Sequence, residues 1–587
     1  MRKFTSLLVL LFLGIVSFAQ DTIRVSPDYI NGGALNKAIK ENGANKVYVL
    51  EANGFYTLTS TIEFLRDSLN PAYGYEIVGE IPTGDEYMPV LQTGLTADNT
   101  PFTNMFTVKA NVTFKNIFIA NQTTTGQIGD MAVLIRDKVR FEMDASVVDP
   151  VGRKDFINGG DFTTGSDIIL TNNQFLRQGD PYSPGGGHMI RNVYADTMFI
   201  ENNSFISTDH SILAGGDGEK MNKFFWFNHN TVVWHDVGLK WNYSEPNAYV
   251  SNNLFYDLTT YVQLHGWNGD PDKGNGTYAN IMLIDTASVG GGLEPLPSSR
   301  TIKWDRNSLF VSDAVKDVLL GHAVNHPTDE LWLYPVMWNE EVPHYFITDW
   351  DEKGQAILDA SREAKMFDSE DFPNFVESNT WYDKNPNFVD SRIETHSVDV
   401  AKSALWWYYG AKLLDGTNSG TQKSQFWDVD GWAGTSDAMY PTVWPRWDGA
   451  YTNEALLDAS TGGYPLGDLN AFPEEKAKWE AEKSAIMETI LSLQTVDHIL
   501  TAVNETKMDV EESFSMYPNP VSDVLTINSK SVIKSLKVYT ITGQLMKVKV
   551  INDRMVNLDV SGLSKGIYVV EAEYKQGGKF TSKLVKE

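Results

Sequence analysis

The 587-residue chain contains no cysteine, which excludes disulfide staples, thiolate metal sites and thiol nucleophiles. Beyond residue 20 no apolar run reaches about 18 residues, so no later segment reads as a membrane-spanning helix. Basic residues are scarce: 48 Lys and Arg stand against 76 Asp and Glu, a formal charge of −28. Residues 1–20 contribute +2, and 513–587 contribute +5 from eleven Lys/Arg against six Asp/Glu, which leaves −35 on 21–512. So acidic a body, without a basic run, argues against nucleic acid and anionic membranes as partners. No GxSxG, HExxH, P-loop or dinucleotide fingerprint stands in a fitting context.

What the chain has is a repeat. An apolar-polar alternation around an Asn or Asp returns as TFKNIFI (113–119), RFEMDASVV (140–148), ILTNNQF (169–175), FIENNSF (199–205), WFNHNTV (226–232) and YVSNNLF (249–255). Anchored on Asn116, Asp144, Asn173, Asn203, Asn230 and Asn253, the steps are 28, 29, 30, 27 and 23 residues. KWDRNSLF around Asn307 lies 54 further on, about two steps. A period of this length built from strands and turns means stacked coils, each unable to bury its apolar face alone. The Asn sits where a strand must bend. It tolerates the left-handed conformation a bend needs, and its amide can bond its equivalent one coil away.

On these residues, 21–330 resembles the right-handed parallel β-helix (pectin-lyase-like) superfamily, which holds polysaccharide lyases, glycoside hydrolases and some adhesins. The expected fold class is all-β: a parallel β-helix, an aromatic-rich tail and a small C-terminal β-sandwich. Residues 21–110 read as a lead-in with a short capping helix, and the coils run over about 111–330. Residues 331–475 lose the period and become rich in Trp and Asp, as a tail folding back along the coils. EEKAKWEAEKSAIMETILSLQ (474–494) has helical spacing, so 476–512 is assigned to helix and polar linker.

The ends carry addresses. Residues 1–20 read as a secretory signal: Arg2 and Lys3, an apolar run from Leu7 to Val16, then Ser17-Phe18-Ala19. MYPNPVSDVLTI, VYTITGQL (538–545), VNLDVSGLSKGIYVV (556–570) and a final KFTSKLVKE resemble the C-terminal sorting domain of the Bacteroidetes type IX secretion system. That resemblance implies export to the outer-membrane surface or the medium, with the secretion machinery as a partner.

Each coil also offers a strand downstream of its Asn turn. Aligned on an inward aliphatic, these give Ile135, Ile157, Ile190, Leu213, Leu239 and Leu264. The residues that follow point outward, because strand side chains alternate faces. They are Arg136, Asn158, Arg191, Ala214, Lys240 and His265. At about 4.8 Å per coil the column spans roughly 24 Å, the length of several sugar rings. A basic strip on an acidic protein suits an acidic polysaccharide. By resemblance to β-helix lyases, Lys240 is the candidate base, Arg191 the carboxylate clamp and His265 a proton donor or second clamp. Arg136 and Asn158 form an outlying subsite, with Asp209, His210, His235 and Asp236 on the adjacent loop edge.

Other readings stay open. A non-catalytic surface glycan-binding or adhesion protein needs the same strip without the base. An inverting glycoside hydrolase needs carboxylates about 6.5–9.5 Å apart, for which Asp209 and Asp236, one coil apart, are the candidates. Trp406-Trp407-Tyr408-Tyr409 suits either core packing or sugar stacking. His188 and His229 read as turn or packing residues. No cofactor is implied. The Asp- and Gly-rich loops GGDGEK (215–220) and NGDPDKGNG (268–276) are candidates for Ca²⁺, without the spaced ligand set of an EF-hand. The chain is expected to act as a monomer.

Overall fold

The structure is a computed structural model. It describes residues 21–70, 72–136, 138–178, 188–208, 211–214, 222–235, 247–257, 301–310, 312–315, 375–381, 384–391, 393, 397, 448–493, 514–540, 545–574 and 579–586. The chain divides into two compact units, one over 19–495 and one containing the C-terminal residues from 496 on.

The first unit is a parallel β-helix with three faces. The first face contains Ile62–Phe64, Asn104–Val108, Met131–Ile135, the N-terminal parts of Asp155–Thr171 and His188–Glu201, and Ser211–Ala214. A second face runs in parallel from Asp21–Val25 through Lys46–Leu50, Tyr75–Gly79, Val112–Lys115 and Arg140–Asp144 to Thr301–Asp305 and Phe375–Ser378. A third face holds nine strands, from Phe55–Thr57 to Ser308–Phe310. Three coils therefore precede residue 111, so the stack begins far earlier than the Asn period indicates. Its open end is closed by the helix Ala34–Asn42, which buries Leu35 and Ile39. Inside the stack, ring contacts of 5.0–6.5 Å link Phe64, Phe106, Phe114, Phe141, Phe156, Phe175, Phe205, Phe227, Phe255 and Trp304 into one spine.

The corner between the second and third faces holds the Asn ladder. Asn173 Nδ2 donates to Asn203 Oδ1 (3.0 Å), Asn203 to Asn230 (3.1 Å), Asn230 to Asn253 (3.2 Å) and Asn253 to Asn307 (2.8 Å). The bend and the ladder are the work of consecutive residues. Positive φ falls on Asn172, Asn202, His229, Asn252 and Arg306, each one residue before its ladder Asn. Two expected anchors are corrected. The ladder positions on their coils are Ile117 and Ser146, since the Ile117 N–H donates to Ser146 Oγ and the Ser146 N–H to Asn173 Oδ1. Asn116 is a bend residue at φ 53°. Asp144 lies one place earlier, where its carboxylate accepts from Thr171 Oγ1 and Asn172 Nδ2, both at 2.7 Å. Asn253 bonds Asn307 directly, so the 54-residue interval is one coil with an insertion, not two steps.

A strap returns along this corner. The Gly467 N–H donates to the Asn252 carbonyl (2.8 Å), the Thr461 N–H to Asn252 Oδ1 (2.8 Å), and Asn470 Nδ2 to the Asn202 carbonyl (2.9 Å). Asp468, 4% exposed, accepts from Ser204 Oγ at 2.7 Å and caps the short helical turn Leu469–Ala471. The helix Pro473–Leu491 then packs on the coils. Trp479 meets His229 edge-on at 5.3 Å, and Lys483 pairs with the buried Glu201. Burial and the loss of hydration hold the His229 imidazole down at about 3, so it is neutral packing at a bend. The helix falls within the compact unit of 19–495.

The second unit is a five-stranded antiparallel sheet folded around its own apolar cluster, among it Leu525, Ile527, Leu536, Val538, Val570 and Leu584. Its YPNP segment has a mechanical role. Asn519 Nδ2 donates to the Lys583 carbonyl (2.7 Å) while Asn519 Oδ1 accepts the Val585 N–H (2.8 Å). One side-chain amide thus imitates a neighbouring strand and clamps Lys579–Lys586.

Candidate functional site

On the first face the pairing is Val133 with Ile157, Ile157 with Ile190, and Ile190 with Leu213. All four are buried. One place on, Leu134 pairs with Asn158, Asn158 with Arg191, and Arg191 with Ala214. Asn158, Arg191 and Ala214 therefore occupy one column. Arg136 does not. Val133 and Ile135 both face inward, and a period of two cannot say which of them matches Ile157. Ile135 is the expected partner of Ile157; the chain pairs Val133 instead, and Leu134 takes the outward place.

Arg136 nevertheless reaches the same spot from beyond its strand. Its guanidinium lies directly against Gly160, where a Cβ would collide with Arg136 Nη1. Gly160 has φ +59°, and its N–H donates to Asn158 Oδ1 at 2.6 Å. A residue with a side chain here would both strain the backbone and displace the arginine.

The centre of the cluster is a residue the sequence reading passed over. Asp155 is 1% exposed, accepts from Asn158 Nδ2 at 2.6 Å, and pairs in register with His188 on the next coil. Burial pushes its carboxyl up to about 6, while Arg191, Asn158, the His188 N–H and Lys154 pull the other way. Only its place three residues before Asn158 on the same strand hinted at it. His188 is a buried strand residue, 5% exposed, and so takes the packing role of the two expected for it. At the rim, Asp130 takes Arg153 (2.5 Å) and Lys154 (2.8 Å), and these two cations hold its carboxyl below the usual range.

Asn158 and Arg191 are thus brought together beside Asp155, and Arg136 lies against Gly160, two residues on from Asn158. His235 ends the strand Thr231–His235 on the third face, paired with Thr208. Lys240, His265, Asp209, His210 and Asp236 lie outside the described residues, as do Leu239, Leu264, the loops 215–220 and 268–276, and the run 406–409. Among the described residues no group of three or more His, Asp or Glu side chains could hold a metal ion.

Comparison with known families matches residues 515–587 to the Secretion system C-terminal sorting domain. The protein therefore carries an address for export to the cell surface or the surrounding medium by the type IX route. A comparison with curated proteins finds no match. Among solved structures the chain is similar to one described as "Structure of PL6 family alginate lyase AlyGC". That similarity has 14% identity and a TM-score of 0.29, and spans 40% of this chain and 36% of the other.

Proposed function

We propose that this exported protein is a polysaccharide lyase that cleaves a uronate-containing glycan by β-elimination on the first face. The observation that carries the reading is the grouping of the Arg136 and Arg191 guanidiniums with the Asn158 amide on adjoining coils of an acidic protein. β-Elimination needs the sugar carboxylate neutralised before the proton on the neighbouring carbon becomes removable. Guanidinium forks suit that task, because they match a carboxylate with paired N–H donors and do not lose their charge. Asp155 acts as a positioning residue: it fixes Asn158 through one N–H and lies within the field of Arg191. In this reading Lys240 removes the proton as the carbon–carbon double bond forms. The glycosidic carbon–oxygen bond breaks, and His265 returns a proton to the departing oxygen.

The test is a panel of alginate, pectate and glycosaminoglycans read by the ultraviolet absorbance of the unsaturated uronate. New absorbance supports the lyase. New reducing ends without absorbance would replace it with hydrolysis, and retention without either product would replace it with adhesion.

A further inference from the structure

Eight large apolar side chains are exposed among the described residues of 19–495, and four of them (Tyr29, Ile30, Ile81 and Tyr87) belong to one corner. That density is what marks a binding surface. The corner joins the second face to the third at the N-terminal end of the stack, and Asp28, in register with Tyr56 of the third face, puts Tyr29 just past the bend. Tyr29 follows the strand Asp21–Val25, Asn53 follows Lys46–Leu50, and Tyr87 follows Tyr75–Gly79, and these strands pair in that order. The three residues thus stand on consecutive coils, about 4.8 Å apart per step.

The backbone beneath them is fixed. Asn53, at φ 59°, donates its N–H to the Tyr87 carbonyl (2.9 Å) and accepts the Tyr87 N–H on Oδ1 (2.8 Å). Its carbonyl takes the Tyr29 hydroxyl at 3.2 Å. The Tyr29 loop is held by Asp28, which accepts the Ile30 and Asn31 N–H groups at 3.1 and 2.9 Å. The Tyr87 loop is held by Glu86, which accepts from the Thr83 N–H and hydroxyl at 2.9 and 2.7 Å. Tyr29 is 68% exposed and Tyr87 44%. Among the described residues, the exposed amide Nδ2 of Asn53 and the Tyr87 hydroxyl stay uncommitted.

From this arrangement we infer a second glycan-binding site, a platform of Tyr29, Asn53 and Tyr87 that seats a polysaccharide chain by stacking. Sugar rings present apolar C–H faces and hydroxyl edges. Two exposed rings on the coils either side of Asn53, one of them reaching its carbonyl, suit the apolar faces of a sugar chain, and the spare donors of Asn53 and Tyr87 suit the edges. An oily protein partner would leave those donors unsatisfied. The ligand class rests on the glycan reading of the previous subsection, but the platform does not require β-elimination.

The test uses the full chain in native gels cast with alginate, polygalacturonate or hydroxyethyl cellulose, without measuring turnover. Wild type is expected to be retarded in at least one gel. The double variant Tyr29→Ala/Tyr87→Ala is expected to bind about tenfold more weakly at unchanged Tm, as two lost ring contacts imply. Tyr29→Phe/Tyr87→Phe should keep most of the retardation. Wild type passing freely through every gel would overturn the platform, as would a double variant that migrates like wild type. Sedimentation showing that the Ala substitutions split a dimer would reassign the surface to a second copy. If unsaturated uronate forms but the Tyr substitutions change nothing, this inference fails alone; if they abolish retention and no glycan is cleaved, β-elimination fails and the platform stands.

Discussion

Replacing Asp468 by Asn probes how the strap is held against the coils. Asp468 is buried, and burial raises its carboxyl to about 6 despite hydrogen bonds from the Asn470 N–H, Ser204 and the Asn470 amide. The folded value lies above the ordinary 3.8. The folded chain therefore keeps a proton that the unfolded chain has released, and the stability this provides is full below 3.8 and lost as pH rises through 6. Two pH units at 1.36 kcal/mol each put the cost of the buried charge at roughly 3 kcal/mol above pH 7. The substituted amide would keep the cap, since its oxygen can still accept from Asn470 and Asn caps as well as Asp. Its new N–H₂ meets Ser204 Oγ, whose hydroxyl must turn away, at a cost of about 1 kcal/mol. Asp468→Asn should be about 2 kcal/mol more stable than wild type at pH 8 and about 1 kcal/mol less stable at pH 3.5. Urea unfolding followed by tryptophan fluorescence reads this cleanly, because every tryptophan lies before residue 480 and the sorting domain has none. Parallel stability profiles for the two proteins across pH 4–6 would refute the reasoning.

The ladder and the strap make further predictions. Asn203→Ala removes the acceptor of the Asn173 N–H and the donor to the Leu170 carbonyl; two buried groups left unpaired should cost about 2–5 kcal/mol in the same unfolding assay. Lys483→Met strands the Glu201 carboxylate, which Trp226 Nε1 and Asn228 Nδ2 still bond at 2.9 and 3.0 Å. That loss should reach about 3–5 kcal/mol, largely recovered by Lys483→Met/Glu201→Gln. An unrecovered double variant would mean that the Lys483–Glu201 attraction itself, rather than a stranded charge, accounts for the loss.

How much of this was legible beforehand varied with the period of the pattern. The stacked coils and the capping helix followed from repeated Asn turns and an amphipathic stretch, and the sorting domain followed from its motifs. The first three coils escaped because the places in register with Asn116 hold Val25, Leu50 and Gly79, so no Asn pair marks their bends. Asn116 and Asp144 were misplaced by one or two positions because adjacent residues share the bend and the ladder. At the site, alternation located Asn158 and Arg191 but could not distinguish Val133 from Ile135, which moved Arg136 out of the column. Asp155 was invisible for a different reason. Its significance lies in burial beside a guanidinium from another coil, and that is a property of packing rather than of spacing.

The central claim is that Arg191 clamps a uronate carboxylate for β-elimination. Its most direct test is the initial rate of unsaturated-uronate formation by wild type, Arg191→Lys and Arg191→Ala on the best substrate of the panel, with Tm checked for each. The account predicts a rate at least tenfold lower for Arg191→Ala that remains folded at the assay temperature, with Arg191→Lys between, since loss of a charge-assisted pair removes about 1.5–3 kcal/mol. Full activity in a folded Arg191→Ala protein would contradict it.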